Sequence, residues 1–102
     1  MATRVWAVHD NGHDLSKAGK YGEVRCLFKS GEKINVFAAD ALARDVREKL
    51  EGAEEGDHLI LTGSAVANCL AFCYLMKKFA RVNVLIWSFR DLAYEPRTIV
   101  DA

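Results

Sequence analysis

The sequence predicts an α/β fold in which residues 1–102 form a single domain around a mixed sheet with a parallel centre. The main evidence is residues 57–88, where a short apolar run is followed by a turn, a long apolar stretch and a second apolar run. That order is typical of a strand, a crossover helix and a parallel strand. A second observation is the apolar repeat at Leu42, Val46 and Leu50, which indicates an amphipathic helix lying on a sheet. We therefore expect a Rossmann-like or flavodoxin-like fold of two or three layers, with about 5–6 strands and 2–3 helices.

The remaining elements follow from local patterns, in the order β-α-β-β-α-β-α-β-β. Apolar runs predict strands at residues 5–8, 24–28, 33–37, 59–61, 82–87 and 93–100. The second and third of these form a hairpin around the turn cluster at residues 29–32, and Pro96 marks the last as an edge strand. Helices are predicted at residues 15–20, 40–52 and 64–80, with Asp14, Asp40 and Ser64 as N-caps and with Gly22 and Gly52 as stop signals.

Charge and composition argue against some classes of protein. The 14 basic and 14 acidic residues cancel, which argues against nucleic-acid binding because phosphate neutralisation supplies most of that affinity. No apolar run reaches the ~20 residues of a membrane-spanning helix. Three cysteines and no recognisable signal peptide indicate a reducing compartment, so we expect a cytoplasmic protein.

The candidate ligand site lies where parallel strands end, because open sheets bind ligands outside the carboxyl ends of their strands. Three turns follow such strands: residues 9–14, 62–64 and 88–90. We name Asn11, Gly12, Thr62, Gly63, Ser64 and Arg90 as candidate ligand-binding residues.

Gly63 allows close approach of the backbone, and a helix beginning at Ser64 offers unpaired amides to an anion. The alternative is that Ser64 is only an N-cap, since the lysine motif of phosphate loops and the glycine pattern of dinucleotide sites are both absent. Nor is there the Gly-x-Ser-x-Gly elbow of a nucleophilic serine.

The first of these turns is the richest polar cluster of the chain. His9, Asp10 and His13 are candidate acid–base groups if the protein is an enzyme. Their spacing matches no metal motif, so we predict no metal and no cofactor. The alternative is an ordinary loop in which Asn11-Gly12 is a turn and Asp14 a cap.

Two features of residues 64–80 bear on partners. Apolar side chains spread around most of this helix, although a surface helix normally has one apolar stripe, so we expect self-association through it. The alternative is that another helix of the chain covers the remaining face. Cys69 and Cys73 are one turn apart, and we expect them to be small buried hydrophobic residues, because two thiols are too few for a structural zinc site.

Several segments resemble small proteins of tailed-phage genomes. The resemblance rests on residues 12–18 and 20–23, on residues 59–63 with Asn68-Cys69, on residues 82–86 and on residues 94–99, so it covers most of the chain. It implies no particular activity, and it assigns no catalytic residue. It implies that the protein acts in the cytoplasm of an infected bacterial host.

From these observations we expect a small non-catalytic α/β binding or regulatory protein. It would act through self-association and through a protein partner or a small anionic ligand. The competing hypothesis is an enzyme acting on a nucleotide or a phosphoester, with the loop His9–Asp14 supplying acid–base groups and the Gly63-Ser64 turn holding the phosphate.

Overall fold

Five strands and three helices make up the computed structural model, which describes residues 3–10 and 14–101. They are β1 (Arg4–His9), a 3₁₀ helix (Ser16–Tyr21), β2 (Glu23–Phe28), α1 (Ala39–Lys49), β3 (His58–Ile60), α2 (Ala65–Phe79), β4 (Arg81–Ser88) and β5 (Ala93–Val100). The strand order is β2-β1-β3-β4-β5. Strands β1 to β4 are parallel, and β5 runs antiparallel to β4. The predicted mixed sheet with a parallel centre is thus confirmed.

The two faces of the sheet are covered unequally. Val8, Leu59 and Val84 face the layer formed by α1 and α2. Ile60 and Leu85 face the other side, where the 3₁₀ helix is the covering element. Right-handed crossovers place connections that run in opposite directions on opposite faces. The 3₁₀ connection leads from β1 to β2, whereas the α1 and α2 connections lead in the opposite direction, from β2 to β3 and from β3 to β4. The 3₁₀ helix therefore lies on one face of the sheet and both α-helices lie on the other.

The prediction of a third strand at residues 33–37 is wrong, because this segment is a loop and a turn. The hairpin predicted between the second and third strands therefore does not form. Local side-chain bonds explain the difference, because they satisfy backbone amides that a strand would need. The Glu32 carboxylate accepts a hydrogen bond from the Lys29 amide at 2.9 Å, and the Asn35 side chain accepts one from the Phe37 amide at 3.1 Å.

The helix caps agree with the sequence in part. The Ser64 hydroxyl accepts a bond from the Ala67 amide at 3.3 Å, which confirms it as the N-cap of α2. Asp40 is not a cap: α1 begins one residue earlier with Ala38 at the N-cap position, which leaves Asp40 in the first turn. α1 also ends at Lys49, before the predicted stop at Gly52.

The 3₁₀ helix follows the predicted short helix closely. Asp14 accepts a bond from the Ser16 amide at 2.9 Å, and Gly22 follows the last turn with its amide bonded to Gly19 at 3.3 Å. Ala18 is fully buried against the sheet. Within the described ranges, no helix has the length and hydropathy that are needed to cross a membrane.

We expect His58 to make the stability of the fold depend on pH. It begins β3, at the edge of the sheet opposite His9, and its ring packs against Tyr21 with the centroids 5.5 Å apart. Burial lowers the pKa of His58, while the Asp57 charge opposes that shift. The folded state therefore holds this proton less tightly than the unfolded chain. The stability that the neutral ring contributes is present above about pH 6.5 and is lost as the pH falls through the ordinary histidine pKa towards the lower folded value.

We expect the His58→Phe variant, which keeps a ring against Tyr21, to lose less stability on acidification than the native chain. Urea unfolding between about pH 8 and about pH 5 measures this difference. Equal losses in the two proteins would show that another group carries the pH dependence.

Candidate functional site

Three strand ends meet at one edge of the sheet, as the sequence predicted. β1, β3 and β4 are parallel, with Val5 paired to His58 and Leu59 paired to Val84. The turns that follow β1 and β3 are in contact, because a Cβ atom added to Gly63 would lie 2.7 Å from the Cβ of His9. Strand order reverses between these two strands, since β1 is followed by β2 on one side and β3 by β4 on the other.

Gly63 is required here for two reasons that can be separated by experiment. Its φ is +84°, and any side chain would meet His9. Gly31 has the same φ of +84° but has nothing within 4 Å, so Gly31→Ala measures the backbone strain alone. We expect Gly63→Ala to lower the free energy of unfolding by about 1–2 kcal/mol more than Gly31→Ala, as measured by urea unfolding. Equal effects would contradict the close approach of the two turns.

Asn68 holds the turn after β3 in place, a role that the sequence did not reveal. Its side chain accepts a bond from the Thr62 amide at 3.2 Å and donates to the carbonyls of Thr62 at 2.9 Å and Ser64 at 2.6 Å. It is the buried polar side chain of α2, at 9% exposure. The signal was an asparagine four residues after a predicted N-cap, because helical side chains point back towards the N-terminus.

A cavity of about 610 Å³ opens at this edge, on the sheet face that the 3₁₀ helix covers. Three aromatic rings line it: Trp87 contacts Tyr94 with centroids 5.0 Å apart and Phe89 at 6.5 Å, both edge to face. Ile60 and Leu85 form its floor on the sheet. Within the described residues, the short 3₁₀ helix is what covers this face, and the ends of β3 and β4 extend beyond it.

The polar side chains that line the cavity include Asp14, Lys17 and Thr62. The Lys17 ammonium lies 5.6 Å from the centroid of the Trp87 ring and donates to the Leu92 carbonyl at 2.7 Å. Hydrogen bonds from Ser16, together with the Lys17 charge, lower the pKa of Asp14, so it is ionised at neutral pH. Burial, and secondly the Asp14 charge, raise the pKa of Tyr94, whose hydroxyl therefore keeps its proton.

The predicted ligand-binding residues occupy different places relative to the cavity. Thr62 lines it, while Gly63 and Ser64 form the adjoining turn and the start of α2. Arg90 is exposed, with its Nε 3.6 Å from the Asp91 carboxylate. Asn11 and Gly12 lie outside the described residues. Their binding roles all remain predictions.

The candidate acid–base residues are only partly placed. His9 ends β1, and its buried Nε2 has no hydrogen-bond partner within the described part of the chain. The Asp10 amide donates to the Phe28 carbonyl at 3.1 Å, and His13 lies outside the described residues. Among residues 3–10 and 14–101, no group of three or more His, Cys, Asp or Glu side chains is placed to hold a metal ion. The enzyme hypothesis stays a prediction.

The expectation that Cys69 and Cys73 are buried is wrong: both are exposed. α2 buries the face that carries Ala67, Ala71 and Leu75, so residues on the opposite side face outward. Cys26 lies on β2 and is half-buried, and its burial raises the pKa of its thiol.

The wide apolar surface of α2 is largely used within the chain. Its large side chains are half-buried and packed against the core, including Leu70, Phe72, Tyr74, Met76 and Phe79. α1 lies beside α2 and covers part of it. Val66 remains 39% exposed. Self-association through this helix therefore stays a prediction, with a smaller apolar surface than the sequence suggested.

Comparison with known protein families gives a match over almost the whole chain. The sequence profile of the family described as Phage Pam3 gp32-like protein matches residues 3–100. No curated protein and no solved structure matches the chain. The match confirms the resemblance to small phage proteins that the sequence segments indicated.

Proposed function

The chain belongs to the family of Phage Pam3 gp32-like proteins, and we propose that it is a non-catalytic binding protein for a small, flat, largely apolar molecule that carries an anionic group. The observation that carries this proposal is the cavity of about 610 Å³ at the carboxyl edge of the sheet. Sites for small molecules have volumes of roughly 300–1,000 Å³ and combine apolar walls with a few polar groups. Trp87, Phe89 and Tyr94 supply flat apolar walls that suit a ring.

The anionic group is supported by the charges around the cavity. Lys17 lies within it, with its ammonium 5.6 Å from the centroid of the Trp87 ring. Asp14 opposes an anion, but Lys17 offsets its charge. We therefore expect the apolar walls to supply most of the affinity and the anion a modest preference of about 3-fold to 10-fold.

We also infer that the fold is a reduced form of the doubly wound, flavodoxin-like arrangement. Its strand order has the 2-1-3-4-5 form of that class, with the crevice at the point where the order reverses. It departs from the class in two respects: β5 is antiparallel, and a 3₁₀ helix stands where an α-helix would cover the second face. The second departure is what leaves room for the proposed ligand.

An exposed phenylalanine at the rim offers a test with a matched control. Phe89 lines the cavity at 84% exposure, whereas Phe37 lies away from it at 94% exposure. With the fluorescent probe anilinonaphthalene sulfonate, we expect Phe89→Ala to weaken binding by about 5-fold to 10-fold and Phe37→Ala to leave it unchanged. Near-ultraviolet circular dichroism confirms that both variants are folded.

The uncharged parent dye, anilinonaphthalene, tests the anionic preference. Weaker binding of this dye supports the proposed charge, and equal binding removes it from the proposal. If Phe37→Ala weakens binding as much as Phe89→Ala, the cavity is not the site.

The competing proposal, an enzyme for nucleotides or phosphoesters, is favoured by the buried Nε2 of His9 beside Gly63, which has no hydrogen-bond partner among the described residues. It predicts that a nucleotide raises the melting temperature and that His9→Gln abolishes this effect. A panel of nucleotides that leaves the melting temperature unchanged counts against it.

A further inference from the structure

The outer face of α2 carries two exposed thiols. Cys69 and Cys73 are four residues apart, so they lie on the same side of the helix, one turn from each other. Cysteine is among the residues most often buried, and packing does not explain this pair, since α2 contacts the core through Ala67, Ala71 and Leu75. Val66 and Lys77 continue the same exposed face in both directions.

We propose that Cys69 and Cys73 form half of a tetrahedral zinc site, and that the same two cysteines of a second copy of this chain complete it. The spacing C-x₃-C falls within the usual spacing of paired cysteine ligands, C-x₂₋₄-C. Helix positions four apart hold their Cβ atoms about 5–6 Å apart, so both sulfurs reach a metal at about 2.3 Å. Each thiol gives its proton to solvent as its sulfur binds the metal.

One chain cannot complete this site from its described residues. No group of three or more His, Cys, Asp or Glu side chains is placed together there. The third thiol, Cys26, packs on the sheet face covered by the 3₁₀ helix, whereas α2 lies on the opposite face. Structural zinc needs four ligands, and a twofold axis beside α2 supplies the missing two because each copy presents the same pair.

The charges on α2 suit a second copy. Four thiolates around one Zn²⁺ leave a net charge of about −2. α2 contains no acidic residue, and Lys77 lies one turn beyond Cys73 on the exposed face, so two copies bring two cations to the site. The chain has a formal net charge of zero, so two copies do not repel each other overall. The exposed Val66 adds apolar surface at the contact.

The test uses the full chain, purified with a non-thiol reductant and loaded with Zn²⁺ or Co²⁺. We expect light scattering to give the mass of a dimer, elemental analysis to give about one zinc for every two chains, and EDTA to return the monomer. Co²⁺ should give the strong sulfur-to-metal absorption of a tetrahedral thiolate site. Cys69→Ser and Cys73→Ser should each lose the dimer and this absorption, while the control Cys26→Ser keeps both.

Other results overturn the proposal. They are a monomer in excess zinc, one zinc per chain without dimerisation, and zinc-dependent dimers that persist in Cys69→Ser. A dimer that forms only without reductant and carries no zinc also overturns it, because it would be a disulfide-linked product. Because the proposal does not involve the cavity, its failure leaves the proposed ligand site standing.

Discussion

Replacing Asp57 by alanine is expected to lower the free energy of unfolding by about 3–4 kcal/mol, since it leaves the indole of a buried tryptophan and a partly buried amide of β1 without partners. The carboxylate of Asp57 accepts three hydrogen bonds: from the Arg4 amide at 2.9 Å, from the Trp6 indole at 2.9 Å and from the Glu54 amide at 3.0 Å. Trp6 is only 6% exposed. The first two bonds tie β1 to the turn that leads into β3, so they hold together segments that are distant in the sequence.

Urea unfolding measures this effect, and a surface carboxylate is its matched control. Asp91 contacts the Ser88 hydroxyl and Arg90 at the exposed β4–β5 turn. Asp91→Ala should cost less than about 1 kcal/mol, because water replaces exposed partners. If Asp57→Ala costs no more than Asp91→Ala, the carboxylate is not what joins β1 to the turn before β3.

Asn68→Ala is expected to lower the free energy of unfolding by about 2–3 kcal/mol and also to weaken binding in the cavity. It removes the partner of the Thr62 amide and of two carbonyls, and it frees the turn that forms one wall of the cavity. The Thr62 amide should then exchange with solvent faster, as measured by hydrogen exchange.

One further variant separates the acceptor role of the Asn68 side chain from its donor role, and a variant of Asn35 serves as the matched control. Asn68→Asp keeps an oxygen for the Thr62 amide but loses the donor to the carbonyls, so its effect should also be destabilising. Asn35→Ala removes one bond to an exposed amide and should cost less than about 1 kcal/mol. Probe affinity that is unchanged in Asn68→Ala would show that this turn does not shape the cavity.

The central part of the fold could be predicted from the sequence because local signals and packing agree there. The apolar strands around residues 59–61 and 82–87, the cap at Ser64 and the long helix between them all indicate one parallel unit. Parallel strands place their carboxyl ends at one edge, so the contact between the turns at His9 and Gly63 followed from topology alone.

The features that were predicted wrongly from the sequence depend on tertiary contacts, or on side chains that compete with a neighbouring strand for backbone hydrogen bonds. Residues 33–37 have a strand-like composition, but hydrogen bonds that the Glu32 and Asn35 side chains accept from backbone amides hold the loop instead. The exposure of Cys69 and Cys73 is set by which face of α2 meets the sheet, and an almost wholly apolar helix gives no stripe to show this in advance.

The cavity was also hidden from the sequence. Among the described residues, the element that covers this face of the sheet is a 3₁₀ helix of six residues, and it covers less area than an α-helix would. The aromatic residues that line it, Trp87, Phe89 and Tyr94, come from the end of β4, the following turn and the start of β5. They are brought together by the antiparallel pairing of these strands, in which Trp87 is opposite Tyr94.

The most direct test of the central claim, that the carboxyl-edge cavity binds a small flat anion, is a map of amide chemical shifts in the full chain during titration with anilinonaphthalene sulfonate. The proposal predicts that saturable shifts concentrate at Thr62, at Tyr94 and at the indole and backbone N–H groups of Trp87. Shifts confined to α2, or no saturable shifts at all, would contradict it.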